Sequence, residues 1–142
     1  MISTSHFHPM LVHFPIAIVA LGFIAELAAI FIKKEASLPK IGFYLLIVGT
    51  LSAITAILSG VFFTAEMSGS AGEIKETHEL LAWITVGLLF ITSVLRSFIQ
   101  IQKSESNILK WMAFTLYALA SVFVGLTGFY GGTLVYNYMM PL

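Results

Sequence analysis

The sequence has no cysteine and no aspartate, and only 10% of its residues are charged. The lack of cysteine excludes disulfide bonds, thiolate metal sites, iron–sulfur clusters and covalently attached c-type haem. The lack of aspartate leaves no Ser/His/Asp set, and there is no glycine-rich phosphate-binding loop, so an enzyme has little support. Seven basic and seven acidic side chains cancel to a net charge of zero, which gives no electrostatic basis for nucleic-acid binding.

Apolar residues make up 58% of the 142 residues, and the mean hydropathy is +0.97. So short a chain cannot bury this much apolar surface in one core, which excludes a soluble monomer and indicates an integral membrane protein in a lipid bilayer. A transmembrane helix needs about 20 apolar residues. We therefore predict an all-α membrane protein, a single domain of four transmembrane helices in an up-down bundle, with spans over residues 9–32, 41–65, 80–101 and 111–131.

Basic residues are distributed unevenly between the two predicted membrane faces. Only Lys75 falls at the face that carries both termini. The other six fall at the opposite face: Lys33, Lys34, Lys40, Arg96, Lys103 and Lys110. Because cytoplasmic loops carry an excess of Lys and Arg, we predict a multi-pass protein of the bacterial inner membrane with both termini in the periplasm.

All four histidines fall at the predicted outer face. His13 lies about one helical turn inside the first apolar stretch, where polar groups are usually paired or functional, and His78 lies just before the third span. Two facing imidazoles suit axial ligation of one b-type haem, with His13 and His78 as ligands and His8 as the substitute. Anchoring of the histidines at the membrane interface is an alternative. A further alternative is a copper or zinc site built from His6, His8, His13 and Met10 with Glu66 or Glu79.

Two halves of the chain resemble each other weakly. Leu58–Phe62 is similar to Leu126–Tyr130, and His13 and His78 precede these segments at similar distances. Each half then consists of an outer histidine, a helix, a basic loop, and a helix with a Gly-aromatic end. This pattern predicts a parallel repeat of two hairpins about an axis along the membrane normal.

Glu26 lies about two helical turns from the cytoplasmic end of the first span. A carboxylate at this depth is costly unless it is protonated, paired or hydrated. Lys33 and Lys34, at the end of the same span, are the predicted partners, and protonation is the alternative.

The stretch His8–Ala17 (HPMLVHFPIA) resembles the H-P-x-x-V-H-F-P-I-A signature of domain-of-unknown-function family 2231, a bacterial family of predicted membrane proteins. Leu126–Tyr136 resembles its closing motif, T-G-x-x-G-G-x-L-V-Y, and the resemblance extends over essentially the whole chain. It implies a four-span inner-membrane bundle linked to haem binding or electron transfer. It also implies ligand roles for His8, His13 and His78. The chain departs from the family pattern at Phe129 and at Tyr138-Met139, where the family commonly has histidine.

These observations lead to one main hypothesis, a small membrane subunit of an electron-transfer system that carries one b-type haem near the periplasmic face. Its expected partners are other membrane-protein subunits or a cytochrome. A cofactor-free structural subunit of a larger membrane complex is the alternative, because a member that lacks histidines found in its family would be suited to packing alone.

Overall fold

The computed structural model describes residues 7–32 and 34–138, and in this part of the chain the secondary structure is helical, with no strand. Four helical segments are long and apolar enough to cross a membrane. The first is divided into two helices. The helices are α1 (Phe7–Leu11), α2 (His13–Phe31), α3 (Leu38–Phe63), α4 (Gly69–Ile101) and α5 (Asn107–Tyr138). The predicted all-helical membrane protein with four spans is confirmed.

The helices pack as two hairpins, α2 with α3 and α4 with α5, and contacts between α3 and α4 and between α2 and α5 join the hairpins. The core at mid-height is apolar and is centred on Val19, Leu46, Leu89 and Tyr117, one residue from each long helix. We call the end that carries His8, residues 64–68 and the last turn of α5 the terminal end. The opposite end carries the two hairpin connections.

The first span is interrupted at Val12, between α1 and α2. Pro15 has no N–H and cannot donate to the carbonyl of Leu11, which weakens the helix at this point. The His13 ring donates to another carbonyl of this turn, that of Pro9, at 2.6 Å.

Two helices extend further than their apolar stretches predict. The sequence suggests a loop over Glu66–Glu79, but α4 already begins at Gly69, and α5 continues to Tyr138. Hydropathy detects the part of a helix that lies in lipid and not its polar continuation. In the first turns of α4, Lys75 contacts Glu79 one turn on at 2.7 Å, an i,i+4 pair that stabilises a helix.

Glu26 is paired with Arg96 of α4, which lies in the other hairpin. The prediction that Lys33 or Lys34 pairs with Glu26 is therefore wrong. Lys34 is exposed, and Lys33 lies outside the described residues. Both charged side chains are largely buried, so neither could lose its partner cheaply. The carboxylate side chain lies against Gly42 of α3, where a Cβ would come within 2.6 Å of its Cγ. The pair thus joins the two hairpins near the end opposite the termini.

Close approach of α2 and α3 depends on Gly49. A Cβ at this position would lie 2.8 Å from Cγ2 of Val19, a fully buried core residue. Small residues at such crossings let the side chains of one membrane helix contact the backbone of the next. By contrast, a Cβ at Gly87 of α4 would meet no atom within 4 Å.

We expect Gly49→Ala to destabilise the detergent-solubilised protein by about 1–3 kcal/mol, because the added methyl group overpacks the contact with Val19. The measurement is thermal unfolding followed by circular dichroism. Gly87→Ala is the matched control, and it should leave the melting temperature unchanged or raise it, since alanine favours a helix more than glycine does. Equal melting temperatures for the two variants would contradict this description of the helix crossing.

Candidate functional site

A cavity of about 410 Å³ opens between the helices at the terminal end. This volume lies in the range of about 300–1,000 Å³ that is typical of sites for small molecules and cofactors. Most of its wall is apolar, and its polar lining includes His8, His78 and Lys75. A cavity with apolar walls and a few convergent polar groups is the expected form of a binding site.

His8 reaches this cavity from α1 and is held by α3. Its Nδ1 lies 3.1 Å from the carbonyl oxygen of Ala56 and 2.9 Å from Oγ of Ser59. The Ser59 hydroxyl donates to the same carbonyl at 2.7 Å, so its oxygen is available to accept. A carbonyl can only accept, and therefore Nδ1 of His8 carries the proton in this arrangement. The lone pair of the neutral ring is then on Nε2.

His78 is held in the same manner in the other hairpin. Its Nδ1 donates to the carbonyl of Thr127 in α5 at 2.9 Å. The hydroxyl of Thr127 donates to Phe123 O at 2.8 Å and lies 3.1 Å from the hydroxyl of Thr85, which fixes this part of α5 against α4. The neutral ring of His78 therefore also has its lone pair on Nε2.

The two imidazoles are neighbours. Their ring centroids are 6.2 Å apart, and the ring planes are inclined at 78°. Each ring lies against a glycine of the helix that holds it. A Cβ at Gly60 would come within 3.1 Å of Cε1 of His8, and one at Gly131 within 3.0 Å of Cε1 of His78. These glycines leave room for the Cε1 edge of each ring beside the helix that holds it.

The structure brings His8 and His78 together, whereas His13 lies apart from this pair. His13 lines the cavity, but its side chain is exposed and its Nδ1 bonds within its own helical turn to Pro9. Met10 is 60% exposed, and His6 lies outside the described residues. Counting residues along the span favours His13 because it is the deeper histidine. The break at Val12, which determines how α1 lies against α3, is not visible in such a count.

Lys75 is a site residue that the sequence analysis did not single out. It is only 7% exposed, lines the cavity, and lies between two carboxylates, Glu66 at 3.2 Å and Glu79 at 2.7 Å. Two features of the sequence point to Lys75. Lys75 is the only Lys or Arg between Lys40 and Arg96, and it precedes His78 by three residues. Residues three apart on a helix share a face.

Within residues 7–32 and 34–138, no group of three or more His or Glu side chains is arranged to hold a metal ion. Glu66 and Glu79, which were candidate ligands for copper or zinc, are instead paired with Lys75. A structural zinc ion usually takes four protein ligands. Two imidazoles alone are too few ligands for a bare metal ion. They are better suited to a metal that already has other ligands from a cofactor.

The departure from the family pattern at Phe129 does not affect the imidazole pair. Phe129 is 70% exposed and is not part of the cavity wall, so a histidine at this position of α5 would also face outward. Tyr138 is the last residue of α5, and Met139 lies outside the described residues. The substitution at Phe129 therefore removes no ligand from the cavity.

Comparison with known proteins gives one match. A family model described as "Predicted membrane protein (DUF2231)" matches residues 4–141. No curated protein and no solved structure matches the chain.

We expect both cavity histidines to carry their proton on Nδ1 when neutral. Protein labelled with ¹⁵N-histidine and reconstituted in lipid should show, in solid-state NMR, protonated Nδ1 and unprotonated Nε2 for His8 and His78, and a third such ring for His13, whose Nδ1 donates to Pro9. The signals of the two cavity histidines should disappear one at a time in His8→Gln and His78→Gln. His13→Gln is the control and should remove only the third signal. A proton on Nε2 of either ring would contradict the hydrogen bonds to Ala56 and Thr127.

Proposed function

The chain belongs to the DUF2231 family of predicted membrane proteins, and we propose that it is an electron-transfer subunit of the bacterial inner membrane. In this proposal the terminal-end cavity binds one b-type haem, which His8 and His78 would hold. The observation that carries the proposal is the pair of imidazoles from different hairpins, with ring centroids 6.2 Å apart, in each of which Nδ1 donates to a carbonyl and leaves the lone pair on Nε2.

The hydrogen bonds of the two rings support a role as metal ligands. Histidines that bind metals almost always donate their other ring N–H to a backbone carbonyl, a carboxylate or water. Both rings do so here, to the carbonyls of Ala56 and Thr127. This outer contact fixes the tautomer and orients the ring before a ligand arrives.

The same geometry favours His8 over His13 as the partner of His78. His8 and His78 are held on facing sides of the cavity by α3 and α5, whereas the exposed ring of His13 bonds to Pro9 in its own helix. The proposal therefore uses the histidine that the sequence analysis named as the substitute. His13 remains at the cavity lining.

A b-type haem supplies one-electron redox chemistry when it is bound. The chain would contribute the two ligating nitrogens, fix the ring planes through Ala56 and Thr127, and surround the macrocycle with apolar side chains. An apolar surrounding limits solvent access, which is one of the means by which a protein sets a redox potential. We propose that the electron is exchanged with another membrane subunit or a cytochrome.

The distribution of basic residues supports an orientation with the terminal end in the periplasm. Lys34, Lys40, Lys103 and Lys110 lie at the opposite end and are exposed or half-buried, and Lys75 lies at the terminal end. By the positive-inside rule the opposite end is cytoplasmic. The haem site would then be near the outer face of the membrane.

Matching contacts in the two hairpins support the proposed repeat, in a register different from the one that the sequence suggested. His8 bonds to Ala56 and lies on Gly60, while His78 bonds to Thr127 and lies on Gly131. In both hairpins the glycine follows the carbonyl residue by four positions. The repeat would therefore pair His8, not His13, with His78.

We expect protein purified with haem to show a reduced-minus-oxidised absorption spectrum typical of a b-type cytochrome. His8→Ala and His78→Ala should each abolish it, because each removes an axial ligand. His13→Ala should retain it. A signal that survives both His8→Ala and His78→Ala would contradict the ligand assignment. No signal in the native protein would favour the cofactor-free accessory subunit.

A cavity-filling variant tests the location of the haem without changing a ligand. Gly132 lines the cavity, and a Cβ there would meet no atom within 4 Å, so Gly132→Phe would place its ring in the binding space. We expect this variant to lose the haem spectrum. Gly125→Phe is the matched control, since Gly125 is on the same helix, is equally open and is not part of the cavity wall. Retention of haem by Gly132→Phe would place the haem elsewhere.

Single-cysteine labelling tests the orientation, since the natural sequence provides a cysteine-free background. Glu73→Cys lies at the terminal end and Glu105→Cys in the connection between α4 and α5, and both positions are exposed. In intact spheroplasts a membrane-impermeant maleimide should label Glu73→Cys alone. Labelling of Glu105→Cys should require permeabilisation. The reverse pattern would place the termini in the cytoplasm.

A further inference from the structure

Lys75 is the one Lys or Arg that lines the cavity among the residues that the structure describes. Its side chain is 9% exposed, which is unusual because an ammonium group taken out of water loses several kcal/mol of hydration. Such burial is normally retained only where the charge has partners. The groups around Nζ of Lys75 therefore indicate which kind of ligand the site can bind.

The ammonium group has a donor left for a ligand. An ammonium has three N–H donors and no acceptor. In the described part of the chain, Lys75 bonds to two carboxylates, those of Glu66 and Glu79. The third N–H is therefore available to an acceptor within the cavity.

The carboxylate partners are held loosely in comparison with Lys75. The Glu66 side chain is 94% exposed and the Glu79 side chain 51% exposed. Ion pairs with exposed partners contribute only about 0–1 kcal/mol, because water competes for the carboxylate. Glu66, on the segment before α4, can therefore return to water when another carboxylate approaches Nζ.

Lys75 also lies at a useful distance from the imidazole pair. It precedes His78 by three residues on α4, so the two side chains share a helix face and are about 4.5 Å apart along the axis. His78 lies deeper and Lys75 nearer the terminal end. A ligand in the cavity would meet two nitrogen lone pairs in the interior and, towards the opening, the Lys75 ammonium beside the two glutamates that also line the cavity.

We propose that Lys75 binds the carboxylate of the cavity ligand, so that the site selects an apolar ring system with an acidic edge. This inference rests on the proposed function. For a b-type haem, Lys75 would hold the propionates at the terminal end of the cavity. Lys75 is then a positioning and specificity-determining residue, and Glu66 and Glu79 hold its side chain in place when no ligand is bound.

The test compares haem b with its dimethyl ester, which has the same iron and ring but no free carboxylate. Each is titrated into detergent-solubilised apoprotein, and the dissociation constant is measured by absorption difference. A charge-assisted hydrogen bond corresponds to about tenfold or more in affinity. We expect the native protein to bind haem b about tenfold more tightly than the ester. Lys75→Met should bind both equally, and Lys75→Arg should keep the preference.

Lys40→Met is the matched control, since Lys40 lies at the opposite end of the bundle and the preference should be unchanged. Equal binding of haem b and the ester by the native protein would overturn the role of Lys75 and leave the haem site intact. A preference that persists in Lys75→Met would also overturn it, because another group would then hold the carboxylate. Failure of the native protein to bind either compound would overturn the proposed haem site itself.

Discussion

The requirement that polar groups in an apolar bundle find partners inside the protein determines much of this structure, and among the described residues the exception is the buried side-chain hydroxyl of Tyr117. In lipid there is no water to satisfy an isolated donor or acceptor. The side-chain hydroxyls of Thr50, Thr85 and Thr92 accordingly bond to carbonyls one turn earlier in their helices. Thr50 also bonds to Ser93 across the α3–α4 interface at 2.8 Å. The same requirement is met by partners that are distant in sequence. Glu26 pairs with Arg96, and the two cavity histidines donate to the carbonyls of Ala56 and Thr127.

The spans were predictable because composition alone determines them, whereas the partners of the polar groups were not. Mean hydropathy locates four helices with no knowledge of their packing. The partner of Glu26 could not be found in this way, since Arg96 is distant in sequence and belongs to the other hairpin. Lys33 and Lys34 are near in sequence, but only packing determines which cation reaches the carboxylate. The start of α4 was missed because its first turns are polar, and hydropathy detects only the apolar part of a helix.

The candidate site was predictable as a region and not as a pair of residues. The sequence places all the histidines at one end, and the structure describes three of them lining one cavity there. The choice between His8 and His13 depends on the packing of α1 against α3, where Gly60 leaves room for the His8 ring. This packing does not follow from counting residues along a helix. The cavity-lining position of Lys75 likewise required the extension of α4 beyond its apolar part.

The interruption at Val12 makes the two walls of the cavity structurally different. His78 belongs to a helix of 33 residues that packs along the neighbouring hairpin helix, whereas His8 belongs to a helix of five residues that packs mainly against α3. Val12 itself keeps helical backbone angles, and its N–H donates to the carbonyl of His8. The two rings therefore depend on different contacts, His78 on the pairing of α4 with α5 and His8 on the contact of the short α1 with α3.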